Sequence, residues 1–203
     1  MSYVYSRQGC IMDAFISSFT AVAVAEIGDK TQLLSLFLAA RFRAKGAIVA
    51  GILVATLLNH AASAWLGVWV AQFIPHGWHN MLLGGSFIAV ALWLLIPDKD
   101  DSDDNSMLRY GAFAASCMLF FLAEIGDKTQ IATVILAASF EQAVWWVIVG
   151  TTLGMLAANV PVVYAGSWLM QKISLKWARW SACTLFIVLG IYIICSDQLA
   201  ALS

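Results

Sequence analysis

Charge is what this sequence has least of. Of its 203 residues only 11% are Asp, Glu, Lys or Arg, against about 25% in an ordinary soluble domain. A chain with so few charges is not built to face water on every side, so composition predicts a membrane protein. The net charge is −1 and no basic patch is interleaved with aromatics, which argues against a nucleic-acid surface. Cysteine is sparse: Cys10, Cys117, Cys183 and Cys195 stand far apart, with no CxxC and no Cys/His cluster. Neither a disulfide framework nor a zinc site is expected, and the three that lie in apolar runs read as small packing residues. No small-residue cleavage site ends the first apolar run, so no cleavable leader is expected. Met12 opens "MDAFISSF" and reads as an alternative start, which would make residues 1–11 a dispensable extension.

What is there is apolar: 62% of the chain. A bilayer crossing takes about 20 such residues. Six stretches qualify or come close: 12–40, 47–72, 80–97, 108–138, 143–170 and 178–196. The first and fourth would exceed about 40 Å as continuous helices, and each has a glycine at its centre, Gly28 and Gly126. Strong tilt or a broken helix would accommodate them. Most of the nine tryptophans, Trp65, Trp69, Trp145 and Trp168 among them, lie near predicted span ends, where aromatic belts are expected. Pro161 falls inside the fifth span and predicts a kink.

The octapeptide "AEIGDKTQ" occurs at 25–32 and again at 123–130. Around it "LAARF" (38–42) matches "LAASF" (136–140), Gly51 matches Gly150, and "FIAVALWLLIPD" (87–98) lines up with "FIVLGIYIICSD" (186–197). Three spans therefore occur twice. Of the nine Lys and Arg outside the octapeptides, all but Arg7 fall after spans 1, 3 and 5. That asymmetry puts those loops in the cytoplasm and both termini outside it. Three is an odd number, so the halves have opposite orientations. The expected fold is an all-α membrane protein of six transmembrane helices in two inverted three-helix repeats, 1–97 and 108–203, joined by an acidic cytoplasmic linker at 98–107. Secondary transporters built this way place their substrate near the midplane, between the repeats. The linker stretch "PDKDDSDDNS" (97–106) lacks the Gly at position six and the Glu at position twelve of a calcium loop and reads as a solvated hinge.

Intramembrane acids cost several kcal/mol unless paired or hydrated, roughly, and by default mark function. Glu26, Asp29, Glu124 and Asp127 are such acids, accompanied by Lys30 and Lys128. On a continuous helix Glu26 neighbours Asp29 at i+3 and Lys30 at i+4, so each motif would present one patch of two carboxylates and an ammonium. Purely structural ion pairs would leave one acid per motif without a base. Four carboxylates and two ammoniums sum to −2, which one divalent cation neutralises, as do two protons. That is the charge logic of a cation/proton exchange site. Carboxylate, amide and hydroxyl oxygens suit Mn²⁺, Ca²⁺ or Mg²⁺, and Mg²⁺, which holds its waters, ranks third.

The remaining motif letters are expected to support the acids. Gly28 and Gly126 allow either local unwinding or close helix packing. Thr31, Gln32, Thr129 and Gln130 are candidate ligands or hydrogen-bond partners of the acids. Thr31 lies about 140° from Glu26 on a regular helix and is therefore expected to bond to backbone or behind the ligands. Lys30 and Lys128 are expected to tether an acid when no metal is bound. Asn59 and Asn159, polar at membrane depth, are weaker metal candidates and better candidates for interhelical hydrogen bonds. His60, beside Asn59, reads as a hydrogen-bonded packing residue, with a proton relay as the alternative, and His76 and His79 as loop residues that are weak evidence for metal capture.

Two copies of Glu-x-Gly-Asp-Lys/Arg-Thr/Ser, here Glu26-Ile-Gly-Asp-Lys-Thr31 and Glu124-Ile-Gly-Asp-Lys-Thr129, resemble the small cation/proton exchanger family that includes bacterial manganese exporters and the Golgi calcium/manganese transporters of eukaryotes. The resemblance covers the whole chain and implies a transporter, not an enzyme, with the motif acids of both repeats forming the cation site. It implies Mn²⁺ export in exchange for protons, with Ca²⁺/H⁺ exchange at the same site as the alternative, from the inner membrane of a bacterium. No cofactor is expected beyond the transported ion. The partners are a divalent metal and the lipid bilayer; a homodimer is compatible with the sequence, which specifies none. An intramembrane aspartyl protease fits poorly, because its Gly-x-Gly-Asp is absent. So does an amino-acid exporter, whose carboxylate substrate would meet an anionic site.

Overall fold

A backbone in lipid must satisfy its own N–H and C=O groups, and a helix does so within one segment. The computed structural model describes residues 7–75, 78–96, 105–166 and 175–202, and among these it contains helices and turns but no strand. The elements are α1 (Arg7–Ala25), α2 (Lys30–Arg41), α3 (Lys45–Ala71), α4 (His79–Leu94), α5 (Gly111–Glu124), α6 (Lys128–Ser139), α7 (Val144–Ala165) and α8 (Leu175–Leu202). Short 3₁₀ stretches, Asn105–Tyr110 and Glu141–Ala143, lead into α5 and α7. The acidic linker over 97–104, His76, Trp168 and the extension before Arg7 lie outside the described residues.

Among the described residues two helices are long and apolar enough to cross a membrane, α3 and the stretch Glu141–Ala165 that contains α7; Pro161 lies inside the latter. Up to four segments qualify when α1 with α2, and α5 with α6, each count as one span. Of the two accommodations the sequence allows for its long first and fourth stretches, the structure takes the broken helix: both pairs bend by 71° at the octapeptide. The stretches expected at 80–97 and 178–196 contain the apolar helical portions Asn80–Leu94 and Trp180–Cys195, shorter than the roughly 20 residues of a full crossing.

Because lipid is as apolar as leucine, helices in it are held together by close packing over small residues more than by hydrophobic burial. Here the same contact is built twice. Gly51 of α3 lies so close to α5 that a Cβ placed on it would stand 2.6 Å from the Phe113 carbonyl oxygen and 2.8 Å from Ser116 Cβ. Gly150 of α7 lies against α1 in the same way, with Phe15 O at 2.8 Å and Ser18 Cβ at 3.0 Å. Phe15 and Ser18 match Phe113 and Ser116 in the aligned halves, so each half packs its long helix on the broken helix of the other. At the third helices Gly84 and Gly190 meet reciprocally, each Cβ position falling within 2.7 Å of the other's carbonyl oxygen. Phe87 and Phe186, matched in the alignment, touch with ring centroids 5.8 Å apart. Gly51→Val and Gly150→Val are each expected to lower stability by about 1–3 kcal/mol through overpacking, seen as a reduced melting temperature in detergent. Gly46→Val, where a Cβ meets nothing within 4 Å, is the comparison expected to melt near the wild-type temperature.

Candidate metal centre

The octapeptides do not continue α1 and α5; they interrupt them. After Ala25 the chain makes tight turns, with Ile27 N donating to Val24 O (3.3 Å) and Asp29 N to Glu26 O (3.1 Å). The second copy repeats this, Ile125 N to Leu122 O at 3.3 Å and Asp127 N to Glu124 O at 3.0 Å. The break requires Gly28 at φ 81° and Gly126 at φ 74°, a region that disfavours any residue with a Cβ. Around Gly126 a Cβ would meet nothing, so its glycine serves conformation, not packing. Gln32 and Gln130 fasten the turns: the Gln32 Oε1 accepts from Gly28 N at 2.8 Å and the Gln130 Oε1 from Gly126 N at 2.7 Å. Sequence reasoning offered these glutamines as ligands or acid partners and missed that their oxygens hold the backbone; the i, i+4 spacing from each glycine was the available signal.

The break also replaces the i, i+3 and i, i+4 geometry expected of a continuous helix. Asp29 and Asp127 become the residues that open α2 and α6, in extended conformation. There the helix macrodipole favours negative charge. Glu26 and Glu124 sit at the ends of α1 and α5, where the dipole opposes them, and both take hydroxyl donors. Thr31 donates to Glu26 Oε2, the hydrogen bond behind a ligand that the sequence allows for it, reached here across the break. Thr56, from α3, donates to Glu124 Oε1 at 3.0 Å. Thr129 donates to Asp127 Oδ2 at 3.1 Å.

Oxygens of Glu26, Asp29 and Asp127 all lie within 4.8 Å of one another. Glu26 and Asp127 are buried and Asp29 is half-buried. The two halves thus meet in one carboxylate cluster, with two acids from the first motif and one from the second. Lys30 Nζ stands 3.2 Å from Asp127 Oδ1, joining the motifs across the repeat boundary. The buried Lys128 donates to the Ile96 carbonyl at 2.7 Å. Glu124, the fourth expected ligand, is not in the cluster: besides Thr56 it faces His60, with Nε2 3.7 Å from Oε2.

Asn59 and Asn159 both bridge helices. Asn59 Nδ2 donates to the Phe121 carbonyl of α5 at 3.0 Å, and Asn159 Oδ1 accepts from Ser35 of α2 at 2.8 Å. Gln32 Nε2 adds a bond to the Ala158 carbonyl at 2.9 Å, so α2 is tied to α7 twice, once by the motif's own glutamine. His60 departs from the expected packing role: it is fully buried, yet neither ring nitrogen has a hydrogen-bond partner. Chemically, three carboxylates from two motifs, two of them accepting from threonines, with one ammonium beside them, could hold a hard cation and carry a net charge of −2 when ionised.

A sequence profile described as "Divalent cation/proton antiporter GDT1" matches residues 14–102 and again 112–201. A Vibrio cholerae protein named "Putative manganese exporter" is 51% identical over 181 residues, 89% of this chain and 90% of its own length. GDT1-like protein 4 of rice is 30% identical over 190 residues, covering 81% of this chain and 66% of the relative. GDT1-like protein sll0615 of Synechocystis is 28% identical over 190 residues, 82% of this chain and 89% of the relative. No solved structure matches the chain.

Proposed function

Because the chain belongs to the GDT1 family of divalent cation/proton antiporters, we propose that it is a secondary active exporter of Mn²⁺, driven by proton entry through a single cation site shared by both octapeptides. One observation carries this reading: carboxylates of both motifs converge within 4.8 Å inside an apolar helical body. With Lys30 the cluster has three negative charges and one positive, which one divalent ion balances. Protons on the acids balance it equally, so each cargo can replace the other. Lys30 holds Asp127 when the ion leaves and yields it when the ion returns.

The wider architecture in this proposal is six membrane-crossing segments in two inverted repeats, with both termini outside the cytoplasm of a bacterium. The doubled glycine contacts and the doubled 71° bend support two equivalent halves. The Lys/Arg asymmetry of the loops supports the orientation. The name of the Vibrio relative favours Mn²⁺. The all-oxygen cluster also suits Ca²⁺, so Ca²⁺/H⁺ exchange on the same residues is the second reading.

Purified protein in liposomes tests both. An imposed pH gradient is expected to drive Mn²⁺ uphill, with Ca²⁺ a weak competitor. Equal driving of Ca²⁺ would transfer the assignment to the second reading, and metal flux indifferent to the pH gradient would reject proton exchange.

A further inference from the structure

Buried polar groups are almost always hydrogen-bonded, and each exception calls for an explanation. His60 is such an exception within the described residues. It lies on α3, fully buried, with neither Nδ1 nor Nε2 bonded to anything. It faces Glu124 Oε2, which is also buried and without a hydrogen bond. The two atoms are 3.7 Å apart. That is too long for a hydrogen bond. It falls within the roughly 3–4 Å that separates two atoms each about 2.1 Å from a shared metal ion. Asp127 N donates to the Glu124 carbonyl at 3.0 Å, so this pair adjoins the carboxylate cluster through the turn that carries Asp127.

We propose that His60 and Glu124 form a second position for the transported cation, next to the Glu26–Asp29–Asp127 cluster, at which His60 supplies a nitrogen ligand. The inference rests on the reading that the chain moves a divalent metal through that cluster. One ion uses both positions in turn, with Thr56 and Asn59 on the same helix holding Glu124 and α5 in place. The imidazole gives the position a selectivity that oxygen donors lack. Ca²⁺ and Mg²⁺ are oxygen-seeking, whereas Mn²⁺ accepts imidazole. His60 is thereby the residue that favours Mn²⁺ over Ca²⁺ in this chain.

The test uses Mn²⁺ as its own probe. The chain has three histidines, so the His76→Gln/His79→Gln protein contains only His60. Pulsed EPR of Mn²⁺ bound to that protein is expected to show imidazole ¹⁴N coupling that converts to ¹⁵N on histidine labelling. Full Mn²⁺ binding with no histidine nitrogen coupling would overturn the inference while leaving the proposed function standing. No Mn²⁺ binding at all would overturn both. Independently, His60→Gln is expected to weaken Mn²⁺ more than Ca²⁺, lowering by about tenfold the Ca²⁺ concentration that halves the remaining Mn²⁺ transport. Unchanged competition in a folded His60→Gln protein would also overturn the inference, and the labelling arm stands if that variant does not fold.

Discussion

Asp127→Asn is expected to reduce proton-driven Mn²⁺ flux to the level of empty liposomes, a loss of about a hundredfold or more. The substitution removes the one carboxylate that the second motif gives the cluster and the partner of Lys30 at 3.2 Å. A carboxylate lost about 4 Å from a cation forfeits up to about 4 kcal/mol per unit charge at an effective dielectric constant of about 20, which at about 1.4 kcal/mol per tenfold is two to three orders of magnitude in affinity. Asn keeps the shape, and its amide oxygen can still accept from Thr129, so the turn at 124–127 is expected to survive. An unchanged melting temperature with lost flux would assign the effect to the ion. Retained flux would remove Asp127 from the site.

Lys30→Gln is expected to act in the opposite sense on binding. It takes the cation that bridges the motifs at Asp127 and leaves the three acids at −3 when ionised. Unit charges about 4 Å apart interact by up to about 4 kcal/mol near a protein surface. The half-exposed position of Lys30 reduces this, so Mn²⁺ is expected to bind on the order of tenfold more tightly. An ion held too firmly leaves slowly, and turnover is expected to fall by a similar factor. Titration of the free-Mn²⁺ EPR signal reads the first effect and initial rates in liposomes the second. Wild-type affinity and rate together would reduce Lys30 to a structural role.

The acids were legible because charge is so scarce here: two identical acidic octapeptides inside apolar runs admit few purely structural explanations. The helical character followed from the same apolar runs. The break was half-legible. A central glycine announces either unwinding or packing, and only the backbone, with φ near 80° and open space around Gly126, decides between them. Once the helix breaks, spacing rules for a continuous helix no longer say which side chains meet, so the expected Glu26–Lys30 neighbours gave way to the Lys30–Asp127 bridge. The departure of Glu124 from the cluster was not legible in the motif at all, because the two copies are identical. The difference comes from the long helices packed against them. Counting from the matched glycines Gly51 and Gly150, α3 presents Thr56 and His60 where α7 presents Met155 and Asn159. Thr56 takes hold of Glu124, whereas Asn159 is engaged by Ser35, and Glu26 remains with the cluster.

The central claim is that one ion is shared by both motifs, and counting bound ions tests it most directly. Equilibrium binding of Mn²⁺ to the purified chain is predicted to saturate at one ion per chain, and Glu26→Gln in the first motif and Asp127→Asn in the second are each predicted to abolish it. Two ions per chain, or a full-affinity ion surviving either substitution, would contradict a single shared site.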